Sequence, residues 1–403
     1  MIYLVVYEGD KASVSLLWGG LLPWFWGARS TSPSVNGVDG QKSSLAASYG
    51  QQYWHAIMNS LYHPTRSEEV KGVLPFKRPS ASGRPAQRGH KEAPIRTKSG
   101  VKLGIALPQG FPEGNVDMDL IRRFAARSEA LEYSDLWVSD QVIGKLPILE
   151  TTTQLAYVAA LTSKIRIGTS VIVSNLHQPL QLAKSLSSLD NLSGGRLTVG
   201  LGLGTTTKAY PAFGLDPEHR ASRFMEGVQI MKALWTQSSV DFDGTFAQLE
   251  DISMEPKPVQ RPHPPLWFGG RVPDAMRRAI RHGDGWMGAG SNTNEGFLKE
   301  HTELQGILAE EGRDPATFAV SKRVYLAIGS DDASSMAKLR TWIGAYYGNP
   351  DLADRWCIVG TAPVIAEKLS ELVEAGATHL MLNPVFDEIE HLEIIAEEIA
   401  PLI

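Results

Sequence analysis

The sequence predicts an α/β protein built as a (β/α)8 TIM barrel, preceded by an N-terminal extension of irregular structure. Three observations point there. From Val101 onward, eight short apolar segments alternate with amphipathic helical ones over about 300 residues, the span of such a barrel. The run 192–204 (LSGGRLTVGLGLG) passes from a glycine turn into an apolar strand that ends in three glycines at alternate positions. Glycine within a strand costs stability, so its repetition there means that something approaches the backbone closely. The 403 residues also suffice for one large domain with a substantial core or for two smaller ones.

The elements follow in order. Residues 103–107 read as the first strand and 117–131 as an amphipathic helix with Leu120, Ile121, Phe124 and Leu131 on one side. Leu136-Trp137-Val138 is a second strand ending at Asp140, and 154–161 is helical. The β-branched segment 165–173 is the third strand. The helix 180–192 is stopped by Gly194-Gly195, and 197–203 is the fourth strand. A long helix over 217–235 and a hairpin over 240–248 around Asp243-Gly244 come next. Residues 265–268 form the fifth strand, 273–281 a helix and 285–287 a short sixth strand. A helix at 295–311 leads to the seventh strand, 318–328. Helices at 332–347 and 362–375, an eighth strand at 379–382 and a last helix close the chain.

The first hundred residues differ in kind. They lack sustained periodicity, with Ser and Gly concentrated in 28–50 and Pro, Lys and Arg in 75–98. Such segments rarely bury enough apolar area to offset chain entropy. Trp18, Trp24, Trp26 and Trp54 are unusual company for an irregular tail. Regular structure begins abruptly at Val101, and GTG encodes valine as an alternative start, so a mis-assigned translation start is the expectation for 1–100. The apolar stretch 14–26 is interrupted by Gly19, Gly20 and Pro23, and Glu8 and Asp10 spoil the basic region of a signal peptide.

Charge separates the two parts as well. Residues 1–100 carry 12 Lys/Arg and 6 Asp/Glu, and residues 101–403 carry 27 and 38, a net of −11. An acidic body argues against nucleic acid or an anionic membrane as partner. Cys357 is the one cysteine, so an intrachain disulfide is excluded and a reducing cytoplasm is the expected compartment. No apolar run reaches the roughly 18 residues of a membrane helix.

In a barrel of this kind chemistry sits at the carboxyl ends of the strands. Gly269-Gly270-Arg271 joins a strand to a helix, where open backbone N–H groups, a helix N-terminus and a cation favour a phosphate; a tight turn with Arg271 in solvent is the alternative. The set Gly200, Gly202, Gly204 fits a flat ligand against the strand end, or close packing inside the barrel. His177 follows a strand end as a proton donor or ligand contact, or as a structural histidine. Asp140 either faces the site or caps a turn. No His-x-His, His-Glu-x-x-His or Cys-x-x-Cys spacing occurs, so no metal site is expected, and there is no Gly-x-Ser-x-Gly elbow.

Taken together, DLWVSD (135–140), IRIGTSV (165–171), LSGGRLTVGLGLG (192–204), LWFGG (266–270), HGDGW (282–286) and the segment 360–382 resemble the luciferase-like monooxygenase family, over residues 101–403. That family includes bacterial luciferases, reduced-FMN monooxygenases and coenzyme F420-dependent oxidoreductases. The resemblance implies a flavin-type ring over the strand ends, a phosphate near Gly269, Gly270 and Arg271, and a non-proline cis peptide in the third strand at Ser170-Val171. Three positions depart from it. Gln141 stands where many relatives carry a histidine facing the ring; it can hydrogen-bond but cannot exchange a proton near neutral pH. Leu203 replaces a phosphate-binding arginine of luciferases, and Thr205 replaces a glutamate of sugar-phosphate-oxidising F420 enzymes. The acid/base group is therefore unassigned, with His177 as the best substitute and Gln141 as the second catalytic candidate. Trp286, Tyr346, Tyr347 and Trp356 are candidates to line an apolar substrate space, with core packing as the equal alternative.

The resemblance thus implies an oxidoreductase acting on a small organic substrate, by hydride transfer or oxygen insertion, with dissociable F420 or reduced FMN. The alternative is a flavin-binding protein without turnover. A phosphosugar-metabolising barrel would need a carboxylate or lysine constellation that is missing. Relatives of this kind are often dimers, which makes a homodimer the expected assembly.

Overall fold

The computed structural model describes residues 3–8, 11–16, 95–204 and 206–403. The chain divides into two compact units, 1–87 and 88–403. In the first, β1 (Tyr3–Glu8) and β2 (Lys11–Leu16) pair as an antiparallel hairpin, from Tyr3 opposite Leu16 to Glu8 opposite Lys11. That is regular structure inside the span read as irregular: Tyr, Val and Leu dominate β1, and such residues favour strands. The four tryptophans 18, 24, 26 and 54 lie outside the described residues.

The second unit opens with β3 (Lys102–Ala106), α1 (Met118–Ala130), β4 (Asp135–Val138) and α2 (Thr151–Leu161). It continues through β5 (Arg166–Thr169), β6 (Ile172–Val173), α3 (Pro179–Ser193), β7 (Leu197–Gly202), α4 (Arg220–Thr236) and the antiparallel pair β8 (Val240–Asp243) and β9 (Gln248–Ile252). Then come β10 (Leu266–Gly269), α5 (Pro273–His282), β11 (Gly285–Gly288), α6 (Asn294–Glu310), β12 (Ala319–Ile328), α7 (Asp332–Tyr347), α8 (Ala353–Trp356), β13 (Cys357–Gly360), α9 (Ala362–Glu374), β14 (His379–Asn383) and α10 (Glu388–Ile394). Strands β3, β4, β5, β7, β10, β11, β12 and β14 pair in parallel in that order, and β14 returns to β3. The ring is closed, as the eight-strand reading requires.

Local chemistry sets the helix ends. Asp117 accepts from Leu120 N at the start of α1, Thr293 from Gly296 N at α6 and Asp331 from Ser334 N at α7. Pro179 and Pro273 open α3 and α5, and Gly194 ends α3 at φ +68°. Among the described residues no helix is long and apolar enough to cross a membrane.

Two sets of side chains leave the strands. One faces the helices and forms the main core, including Ile105, Leu136, Ile167, Leu201, Phe268 and Leu382. The other fills the lumen, where Trp137, Met287 and Met381 cluster with Val171 and Trp267. Trp137 stacks on Trp267 with ring centres 5.3 Å apart. Its indole N–H donates to Asp135, whose Oδ1 lies 2.9 Å from His379 Nε2, and His379 Nδ1 lies 2.7 Å from Ser321 Oγ. A Cβ on Gly104 would strike Asp135, Trp137 and His379, and one on Gly168 would strike the Trp137 ring. The aromatic filling of the lumen therefore demands glycine on its neighbours.

Three features differ from or refine the sequence reading. The third strand divides into β5 and β6 on either side of Ser170-Val171, and both pieces pair with β7; the Ser170-Val171 peptide is cis, as the resemblance implies. Strand β12 is ten residues long, and its upper half pairs with β13, which the sequence reading lacks. The second hairpin strand runs to Ile252, beyond the expected limit at 248.

Substituting Gly200→Ala is expected to destabilise the barrel by about 1–3 kcal/mol, because the new methyl would collide with the Thr169 carbonyl and lie 2.8 Å from Met287 Sδ. Chemical denaturation checks this, and an unchanged midpoint would contradict the lumen packing.

Candidate active site

Asp140 follows β4 and has a side chain only 2% exposed. Its Oδ2 accepts from Val173 N at 3.0 Å and meets His177 Nε2 at 2.8 Å, and its Oδ1 accepts from Thr151 Oγ1 at 3.2 Å. A carboxylate receiving donors on both oxygens assigns the His177 proton to Nε2 and leaves Nδ1 to face other groups. Asp140 thereby ties the exit of β4 to the end of β6 and to His177, just after the 174–176 turn. Alongside, Gln109 clasps the Ser139 backbone, donating to its carbonyl at 2.7 Å and accepting from its N–H at 2.8 Å.

Arg323 is the residue that sequence reasoning missed. It projects from the middle of β12 and spans the barrel mouth. Nη1 donates to Ser139 Oγ at 2.6 Å and to Ser170 O at 3.2 Å, and Nε donates to Asn383 Oδ1 at 2.8 Å, with Nη2 on the same oxygen. Its guanidinium carbon sits 5.1 Å from the Tyr325 ring centre. One cation thus holds the exits of β4, β5 and β14. Because β12 overruns its neighbours, a mid-strand residue lies level with their ends; the sequence placed that strand's exit at Ile328. Burial pushes the Tyr325 phenol well above its ordinary pKa, with Arg323 pulling the other way.

Between β5, β7 and β10 lies a bare ledge. A Cβ on Gly202 would stand 2.7 Å from Val171 Cγ2, and one on Gly269 would stand 3.3 Å from Val171 Cγ1. A Cβ on Gly204, at φ +71°, would meet Val173 Cγ1 at 3.0 Å. What approaches these glycines is the protein's own third strand, so the packing alternative accounts for them, and Val171 is the side chain seated over Gly202 and Gly269. Gly270 leads into α5, whose N-cap residue Val272 supplies no side-chain acceptor. Arg271 lies beside it, half exposed, with Nε donating to Glu300 Oε1 at 2.6 Å.

The remaining sequence candidates scatter. Gln141 keeps to the β4 exit, and its buried Oε1 has no hydrogen-bond partner. Trp286 is fully buried among the strand–helix core, donates to Gly270 O at 2.6 Å and stacks near Phe297, so it is a core residue and not a substrate wall. It faces outward because its neighbour Met287 takes the lumen position. Tyr346, Tyr347 and Trp356 do gather: Tyr346 stacks on Trp342 at 4.8 Å, Tyr347 meets Trp356 at 5.2 Å, and Tyr347 Oη lies 2.7 Å from Tyr325 Oη. Through Tyr325 this aromatic group reaches Arg323. Thr205 lies outside the described residues. A cavity of about 880 Å3 lies between 110–120, α7 and 385–388, away from Asp140, Val171 and Gly269.

A second missed cation lies on β12. Lys322, 1% exposed, donates to Ala289 O and to Asn292 O at 3.0 Å, fastening the loop after β11. Burial lowers its pKa from 10.5 to about 7, with Glu300 opposing that shift.

A family model described as luciferase-like monooxygenase matches residues 98–350. An uncharacterised protein of Mycobacterium tuberculosis is 36% identical over 168 residues, 41% of this chain and 58% of that protein. The chain thus spans little more than half the length of these relatives. The F420-dependent glucose-6-phosphate dehydrogenase of Kineococcus radiotolerans is 27% identical over 316 residues, covering 70% of this chain and 91% of that one. Among solved structures, the monooxygenase RslO1 from Streptomyces bottropensis superposes with a TM-score of 0.63 at 25% identity, over 74% of this chain and 98% of that one. An F420-dependent secondary alcohol dehydrogenase reaches 0.64 at 21% identity over the same shares, a likeness of fold.

Two outcomes are expected. Asp140→Ala should cost about 1–3 kcal/mol by leaving the Val173 N–H without its acceptor, read by denaturant unfolding; a loss well under that range would contradict the network. For Lys322, the unfolded chain binds more protons than the folded one between pH 7 and 10.5, so this group makes stability rise with pH across that window. Unfolding free energies of wild type and Lys322→Met at pH 7 and 10 should show the extra rise in wild type alone.

Proposed function

The chain belongs to the luciferase-like monooxygenase family, and from that premise we propose that its barrel is a flavin-type oxidoreductase. It takes dissociable coenzyme F420 or reduced FMN at the strand ends and acts on a small organic substrate. The observation that carries this reading is the half-buried Val171, seated in the space that Gly202 and Gly269 leave, beside the uncapped start of α5. A flat ring needs such a shallow apolar floor, and a phosphate needs such a helix end.

The residues present fit the group. The orphaned Oε1 of Gln141 is a buried acceptor that suits a ring N–H. Ser170 and Val171, the latter packed on Gly202, make up the floor beside Gly204, and Gly269, Gly270 and Arg271 receive the phosphate. Arg271 is shared with Glu300, so a phosphate there competes with that carboxylate for the guanidinium.

The cofactor supplies hydride transfer at N5, or oxygen activation at the 4a carbon of reduced FMN. The chain supplies placement. Arg323 sets the Ser170 carbonyl and the exits of three strands. Asp140 holds His177 by Nε2, so a proton exchanged between His177 and a ligand passes through Nδ1. In this reading Tyr346 and Trp356, which gather with Tyr347 beside Tyr325, are the wall of an apolar substrate space. A reducing cytoplasm and a homodimer complete the reading, the first resting on the single cysteine and the second on the family resemblance.

Anaerobic titration of the full chain with reduced FMN and with F420 tests the reading. One of the two should bind in the micromolar range, and Gly269→Val should weaken it at least about tenfold by filling the floor. Failure of both to bind more tightly than about 100 μM would overturn the proposal.

A further inference from the structure

A cavity of about 400 Å3 shares His177 with the strand-end centre. Its walls are the 174–179 segment, Phe213 and Leu215, the first turns of α4, and the tip of the β8–β9 hairpin. Leu176, Pro179, Phe213, Leu215, Ile230 and Phe246 make most of that wall apolar. The titratable groups lining it are His177, Arg223 and Glu226.

The two opposite charges that line it, Arg223 and Glu226, are not paired with each other. Glu226, three residues from Arg223, would be its natural counter-ion but is engaged elsewhere. Its Oε1 accepts from Phe246 N at 2.8 Å and Ala247 N at 2.7 Å, and its Oε2 accepts from Thr245 N at 2.8 Å. Among the described residues Arg223 makes no ion pair, and its Nε is buried without a hydrogen-bond partner. Its guanidinium carbon lies 4.3 Å from the Phe246 ring centre, a stacking that orients the fork without neutralising it. Arg223 also stands early in α4, which has no acidic residue in its first turn and no side-chain cap at His219. The helix dipole there adds to the positive potential, and a cation so placed is favoured only when an anion answers it.

We propose that this cavity is a binding site for a small organic carboxylate with an aromatic or apolar body. Arg223 receives the carboxylate, and Phe213, Leu215 and Phe246 cover the body. One unpaired guanidinium matches a single negative charge, and the volume falls within the range that small-molecule pockets occupy. The occupant would also touch His177, which Asp140 links to the strand ends, so a carboxylate bound here sits one hydrogen bond from the network that holds β6.

Isothermal titration of the full chain with benzoate, and with benzamide as its uncharged isostere, tests the site. Benzoate should bind wild type and bind Arg223→Gln about tenfold to a hundredfold more weakly, the worth of one charge-assisted hydrogen bond. Arg223→Lys should keep part of the affinity, and Phe213→Ala, which leaves the cation in place, should weaken benzoate as well. Benzamide should not distinguish wild type from Arg223→Gln. Reduced FMN should bind Arg223→Gln and wild type alike, so failure of the cofactor reading shows separately from failure of this one. Equal benzoate affinity in wild type and Arg223→Gln, or no benzoate binding at about 10 mM, overturns the proposal.

Discussion

The interior of this barrel is governed by one steric requirement: Trp137 lies in the lumen. Its ring occupies the positions where Cβ atoms of Gly104 and Gly168 would project, and it stacks on Trp267. Met287, above a similarly bare Gly200, belongs to the same cluster. Bulky side chains from some strands and none from their neighbours let eight strands close around a filled space. The indole N–H then has to find an acceptor inside the wall, and Asp135 supplies it, supported in turn by His379 and Ser321. A buried polar chain of this kind is tolerable because each member is paired.

A plugged lumen pushes chemistry to the strand exits. There a second set of interactions replaces apolar packing. Asp140 fastens β4 to the segment after β5, and Arg323 bridges to Ser139, Ser170 and Asn383. Outside the wall, Lys322 and the Arg271–Glu300 pair steady the loops after β11 and β10. The ledge formed by Val171 over Gly202 and Gly269 lies between these groups, so a ligand seated on it would meet a backbone held from several directions.

Much of this was legible in the linear chain. Alternation of short β-branched segments with amphipathic ones located all eight ring strands, since strand and helix periods are local properties. The motif set pointed to the family, and with it to the break at Ser170-Val171. The glycine run 192–204 was correctly seen as a place of close approach, but its direction was open. Gly200 yields to Thr169 and Met287, and Gly202 and Gly204 yield to Val171 and Val173. Arg323 escaped notice because a residue in the middle of a ten-residue strand reads as interior, and only register with shorter neighbours brings it level with their ends. Trp286 was misread for the converse reason: its position at a strand exit was visible, but not the side of the wall it faces.

By itself the sequence determined the class of fold, the order of its elements, the places where backbone must come close, and the family, because each depends on residue identity at short spacing. Tertiary structure alone decided which cation reaches the mouth, which carboxylate is already spent, and which glycine serves packing. Those outcomes depend on strand register and on partners 30 to 184 residues apart, as in the Gln109–Ser139 and Arg323–Ser139 contacts. Separations of that size leave no periodic trace in the chain, and only the closed ring brings such residues within hydrogen-bonding distance.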